Sequence, residues 1–319
     1  MRVVKYLLLL SVFLLLSSCG QPLQQAIWEK QHFVATLNLR DKSLTFLNET
    51  GDTIAKWELK QQYTGGFLLP NRDTLVLYGT EEETVDLYSL KTGSIEKRLK
   101  TGKGMTNGLY LPSKSQFVFT DKEKNEVRFF DRNGKEVKSI ATGTYPMTMK
   151  LMNDQLVIAC YQDTILQMID IENYEVTKEM HIHSDSAGML VREEAGELWV
   201  GGHGSGKEPR TAVAIYSLAD GTLKEEIEAP LMPVNFHEDH DGIYVLSHGT
   251  NSLYHFNHDK KKINHIHVGA NPFAMESFAG KLIVAGYDSD EVYWIHPQTL
   301  EIEKKVKVGT GPFVIIKRE

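Results

Sequence analysis

LIVAGYDSDEVYWIH, residues 282 to 296, holds two short apolar runs split by the polar Asp288-Ser289-Asp290. Each run is rich in β-branched and aromatic residues, and Gly, Asp and Ser bound them, so the stretch reads as two strands joined by a turn. The same pair recurs along the chain. The first member appears as FVATLN from Phe33, LVLYGT from Leu75, FVFTDK from Phe117, LVIACY from Leu156, LWVGGH from Leu198, IYVLSH from Ile243 and LIVAGY from Leu282. The second appears as LTFLN, VDLYS, VRFFD, LQMID, VAIYS, LYHFN and VYWIH. A more polar run follows each pair, as in SIEKRLK or EIEKKVKV, where charge alternates with Ile, Leu or Val. That composition suits an outer strand, because charged side chains protect an unpaired edge.

A Gly or Pro signal then opens the next unit: Gly65-Gly66, Asn107-Gly108, Tyr145-Pro146, Ala187-Gly188, Met232-Pro233, Asn271-Pro272 and Gly311-Pro312. Four strands in a repeat of about 40 residues predict a β-propeller. The first unit lacks an inner strand, and the last, GPFVIIK, has nothing after it. Pairing these two closes an all-β, seven-bladed β-propeller of four-stranded antiparallel blades, with the C-terminal strand completing the first blade. The units IYVLSHGTNSLYHF and LIVAGYDSDEVYWI resemble the YVTN-type seven-bladed propellers of bacteria and archaea over essentially the whole repeat region. Tyr244-Val245 keep the first half of that motif, while Leu246-Ser247 stand in place of Thr-Asn. The resemblance implies a binding platform, and related propellers include lactonases and cofactor-bearing dehydrogenases.

Arg2 and Lys5 precede an apolar run from Tyr6 to Leu16 that is short for a bilayer span, and Ser17-Ser18-Cys19 follows, as in a signal peptide. Leu16-Ser17-Ser18-Cys19 resembles the lipobox of bacterial lipoproteins, which implies lipid attachment at Cys19. The expected organisation is a lipoprotein signal peptide over 1–18, a tether over 19–31 and the propeller over 32–319. The expected location is the extracytoplasmic side of a bacterial cell membrane, held by the lipid anchor. With Cys19 acylated, Cys160 is left without a disulfide partner, and in LVIACY it reads as a small buried hydrophobe. The formal net charge of −7 becomes two units more acidic once Arg2 and Lys5 are removed, which argues against nucleic acid as partner. A monomer is expected, and no residue pattern calls for a cofactor.

Seven of the 12 histidines fall between Pro233 and Gly269, two of them in His237-Glu238-Asp239-His240-Asp241. Metal-ligand chemistry is present there, but propeller topology scatters the seven over both faces, the core and the rim. His237 and His240 remain weak metal candidates, because no HExxH, CxxC or EF-hand spacing supports them. GGHGSGKE, from Gly201 to Glu208, approaches a phosphate-binding loop but lacks the Ser or Thr for magnesium and a following helix. It reads as a flexible insertion on the top face.

The strongest candidate is a column. The sixth position of the seven strands reads Asn38, Thr80, Lys122, Tyr161, His203, His248 and Tyr287, so four consecutive blades place Tyr or His at the top. Asn107, Tyr145, Asp185 and Asn271 open the inner strands beside it. Aromatic rings with polar tips give large contact area with little entropy to lose, which suits recognition of a protein segment or small ligand. The expected function is thus a membrane-tethered binding or scaffold protein, leaning away from catalysis. The alternative is a lactonase-like or metal-assisted enzyme acting in the central funnel.

Overall fold

The computed structural model describes residues 23–205 and 207–319, so Cys19 and the segment read as a signal peptide lie outside the described residues. No helix occurs among them, and the chain forms seven four-stranded antiparallel sheets, plus one two-stranded hairpin. Each sheet is a blade. In six of them the strands follow in chain order from the axis outward, the inner strands being Gly65–Leu68, Met105–Leu111, Pro146–Met152, Ser186–Arg192, Pro233–Asp239 and Pro272–Phe278. Blade one takes its inner strand, Pro312–Arg318, from the other end of the chain, paired with Phe33–Asn38. The expected closure is therefore present.

Burial explains the repeat. Second and third strands are covered on both faces, as in Gly242–Ser247 and Ser252–Phe256, where every residue is buried, so they read as continuous apolar runs. Outer strands such as Ile302–Lys307 alternate half-buried with exposed positions. Apolar side chains from adjacent blades interdigitate: Phe46 and Trp57 of blade one meet Leu75, Leu77 and Tyr88 of blade two. Ile316 of the closing strand joins that cluster, while Ile315 faces blade seven beside Phe278 and Trp294.

The closing strand also fixes the residues before blade one. Arg318 is buried with no carboxylate partner among the described residues, and its guanidinium donates to the carbonyls of Trp28, of Gln31 at 2.9 Å and of Arg72 at 3.0 Å. Burial lowers its pKa. Further along the segment assigned to a tether, Ile27 is buried with its N–H on Leu90 O at 2.8 Å, and the Trp57 indole donates to Gln25 O at 2.8 Å. Residues 24–31 thus pack as part of the propeller surface.

The hairpin, Gly204–Ser205 with Glu208–Pro209, is the insertion of blade five. It is held by bonds from Arg210 N to His203 O and from Met232 N to Arg210 O, at 3.0 and 2.7 Å. The insertion expected there is thus paired at its base as a short hairpin.

Candidate functional site

Two backbone devices build the top of the channel. In six of the seven blades the residue before the inner strand adopts a positive φ: Tyr145 at 58°, Asp185 at 57°, Met232 at 58°, Asn271 at 52°, with Gly104 and Gly311 at the equivalent places. This conformation costs a non-glycine residue energy, so surrounding bonds must hold it. They do: Tyr161 N donates to Tyr145 O, His203 N to Asp185 O, His248 N to Met232 O and Tyr287 N to Asn271 O, at 2.7 to 3.2 Å. One bond per blade therefore fixes a column residue to the inner-strand opening.

The second device is a bulge. Inner strands shift register just after their first residue, between Pro272 and Ala274 in blade seven and opposite Leu37 and Asn38 in blade one. The unpaired residue is Phe273 or Phe313, and a bulge re-aims such a side chain. Here both rings turn to the channel mouth.

The result is a continuous arc of rings across four blades and into the closing strand. Tyr145 meets Tyr161 at 5.6 Å between centroids, Tyr161 meets His203 at 5.7 Å, and His203 meets His248 at 4.9 Å. His248 stacks on Phe273 at 4.8 Å, and Phe273 contacts Tyr287 at 6.0 Å and Phe313 at 5.2 Å. Cations stand at both ends, Lys122 over Tyr145 at 5.8 Å and Arg40 over Tyr287 at 4.4 Å. Both are charge-compensated: Lys122 lies 3.7 Å from Glu81, and Arg40 is hydrogen-bonded to Asp288, which raises the guanidinium pKa. All the rings are half-buried. Below them the axial cavity measures about 650 Å³, with Phe273, Phe313, His203 and Met147 among its walls. That size lies within the range of small-molecule sites.

The two imidazoles are chemically distinct. His248 Nδ1 donates to Asn271 Oδ1 at 2.8 Å, which leaves Nε2 as the acceptor, buried and without a hydrogen-bond partner among the described residues. His203 Nδ1 is likewise buried and unpartnered. Burial, and secondarily the neighbouring His248, hold the His203 pKa below its ordinary value, so that ring is neutral at pH 7. Burial and then Asp185 raise the Tyr161 phenol, which stays protonated. Cys160, the buried neighbour of Tyr161 in sequence, has its thiol pushed up to about 11 by burial, which keeps it protonated at neutral pH.

Tyr145, Tyr161, His203, His248, Asn271 and Tyr287 come together as expected, and Asp185 joins them through its carbonyl. Two placements differ. Asn107 lies further down its strand, opposite Thr120, and its amide donates to Met147 O at 3.3 Å, so it staples blades three and four along the channel wall. Asn38 pairs with Pro312 and is fully buried, its amide on Ser43 and Thr45 at 3.0 and 3.1 Å. The column position in blade one belongs to Leu39, whose N–H meets Gly311 O at 2.8 Å.

At the other end of blade six, His237 and Asp239 finish the inner strand, and only His240 and Asp241 form the turn. His240 is the exposed member, with Asp239 and Asp241 near enough for the three to offer ligand atoms within 4.8 Å of one another. His237 is not in that group. It stacks on Tyr244 at 6.2 Å and lies 3.7 Å from Asp239. His255 is buried against Tyr244 at 4.6 Å and bonds Asp241 O at 3.0 Å, as its place in the apolar column suggested. Among the described residues, the crowded histidines form no common centre.

No protein-family model matches the chain, and no curated protein matches it. Among solved structures, the chain is similar to the dihydro-heme d1 dehydrogenase NirN in complex with DHE, with TM-score 0.67 and 14% identity over 92% of this chain. It spans 66% of that protein's length. A functionally unknown protein from Desulfotomaculum acetoxidans gives TM-score 0.71 and 11% identity over 89% of this chain and 98% of the other. Apo AztD from Citrobacter koseri gives 0.60 and 10% over 90% and 97%. Identities this low establish the propeller fold alone.

Proposed function

We propose that the protein is a membrane-tethered, extracytoplasmic binding protein of the YVTN propeller type, attached through a lipid on Cys19, whose channel mouth holds a ligand with a flat apolar body. The carrying observation is the arc from Tyr145 to Phe313. Its rings offer sequence-tolerant apolar and π contact at low entropic cost, and the bonded column keeps them in place before a ligand arrives. Two buried ring nitrogens without partners add a polar anchor point, because a donor group on the ligand would satisfy an acceptor that otherwise carries a desolvation cost of about 1–3 kcal/mol. The compensated ends argue against a purely electrostatic grip. A protein segment with an exposed aromatic side chain and a small aromatic molecule both fit these demands.

The test is capture from the intact membrane, with the lipidated protein as bait and identification of what is bound. Tyr161→Ala and Tyr287→Ala should each weaken capture by roughly 1–3 kcal/mol while thermal stability changes less. Unchanged capture by both variants, with the fold intact, would remove the channel mouth from the function.

A further inference from the structure

We infer that the protein rests on the bilayer with the bottom edge of blades one and two against the lipid, Trp28 lying at the interface, so that the channel mouth faces away from the membrane. The inference depends on the reading of Cys19 as the lipid-bearing residue. Trp28 and Leu23 are 79% and 75% exposed, whereas Trp57, Trp199 and Trp294 are buried. A large exposed indole on a soluble surface needs a reason, and at membrane interfaces tryptophan combines apolar burial of the ring with a wet N–H.

Trp28 cannot turn inward, because the chain on either side of it is pinned. Ile27 is buried and bonded to Leu90 O, the Trp28 carbonyl accepts from Arg318, and Gln31 O accepts from the same guanidinium. Arg318 also holds Arg72 O, in the turn that joins the first two strands of blade two. Those turns form the bottom of the propeller, opposite the arc of rings. Exposed Lys30, Arg72 and Lys91 surround the segment, with Glu29 among them, a mixture compatible with lipid headgroups.

Chain length supplies the remaining constraint. Leu23 lies four residue steps beyond Cys19, and an extended chain covers at most about 3.6 Å per step, so a lipid on Cys19 keeps Leu23 within about 14 Å of the bilayer surface. A propeller held on so short a lead must meet the membrane at the edge where the lead begins. That edge carries Trp28.

The experiment uses the full lipidated protein in vesicles of phosphatidylcholine and phosphatidylglycerol, with and without bromination of the phosphatidylcholine chains. Flotation first reports anchoring. The expected result is a blue-shifted emission component quenched by the brominated lipid in the parent and absent in Trp28→Ala, which floats equally well. Flotation without any quenching difference between parent and Trp28→Ala would overturn the orientation and leave the anchor standing. Failure of the lipidated protein to float would overturn the anchor reading and the orientation with it.

Discussion

The two ends of blade six carry the same residue type to different purposes. At the top, His248 is fixed at both ends of its imidazole's surroundings: backbone on Met232 O, Nδ1 on Asn271, ring face on Phe273. At the bottom, His240 is exposed beside two carboxylates that already serve their own turn, with Asp241 N donating to Asp239 Oδ1 and Gln298 donating to Asp241 Oδ1. Density of histidine in sequence says little about a site. What distinguishes the ends is whether the backbone repeats a device from blade to blade, because only a repeated device brings side chains from distant segments to one radius and height.

The most severe way to break the comparison is to remove the element that serves both ends. The closing strand carries Phe313 into the arc at the top and Arg318 into the bottom knot, with Ile315 and Ile316 between blades seven and two. Deleting residues 311–319 removes those two side chains and bares the apolar surface they cover, a loss of about 1.5–3 kcal/mol for each, and opens a strand edge. The expected outcome is aggregation or a fall in melting temperature of roughly 10 °C or more. A truncated protein that melts like the parent would mean that the ring does not depend on its closure.

Protonation separates the ends more gently. His203 at the top and His237 at the bottom both have pKa values lowered mainly by burial. A histidine whose folded pKa lies below its unfolded value of about 6.5 takes up protons more readily unfolded, so both groups subtract stability as pH falls below that value. The secondary causes oppose each other: His248 lowers His203 further, whereas Asp239 raises His237. Replacing His248→Gln should move the His203 titration to higher pH, and Asp239→Asn should move that of His237 to lower pH. Imidazole NMR titrations read both directly. Shifts of the same sign at the two ends would refute the assigned causes.

Most of the architecture is legible in the sequence, because second and third strands buried on both faces leave unbroken apolar runs, and outer strands leave alternating charge. The number of blades and the closure followed from counting those runs. Register is not set by the sequence where no upstream turn precedes the strand: blade one draws its inner strand from residue 312 onward, so the apolar run FVATLN points to Asn38 for the column while the pairing puts Leu39 there. Phe273 and Phe313 escaped for a related reason. They follow prolines at a bulge, and a bulge breaks the two-residue alternation by which strand faces are read. The Pro after a left-handed residue, in Tyr145-Pro146, Asn271-Pro272 and Gly311-Pro312, was the visible trace of that bulge. Arg318 reads as an ordinary C-terminal charge, and nothing local announces the carbonyls of three distant residues that surround it.

The smallest expected effect tests the bottom turn itself. His240 is 85% exposed in its side chain, and its ring lies 3.3 Å from the carboxylate of Asp241, which is 10% exposed. An ion pair with one partner so exposed contributes little, and Asp241 keeps its bond from Gln298, so His240→Ala should change stability by about 0.5 kcal/mol or less and melt within error of the parent. A ligand bound only by the folded state would raise stability by about 2.7 kcal/mol at a hundred times its Kd. Zinc titrated into the parent should produce no such rise, since Asp239 Oδ1 and Asp241 Oδ1 are engaged by the turn and by Gln298. A zinc-dependent increase in melting temperature that disappears in His240→Ala would place a metal at the bottom of blade six and reverse the contrast between its ends.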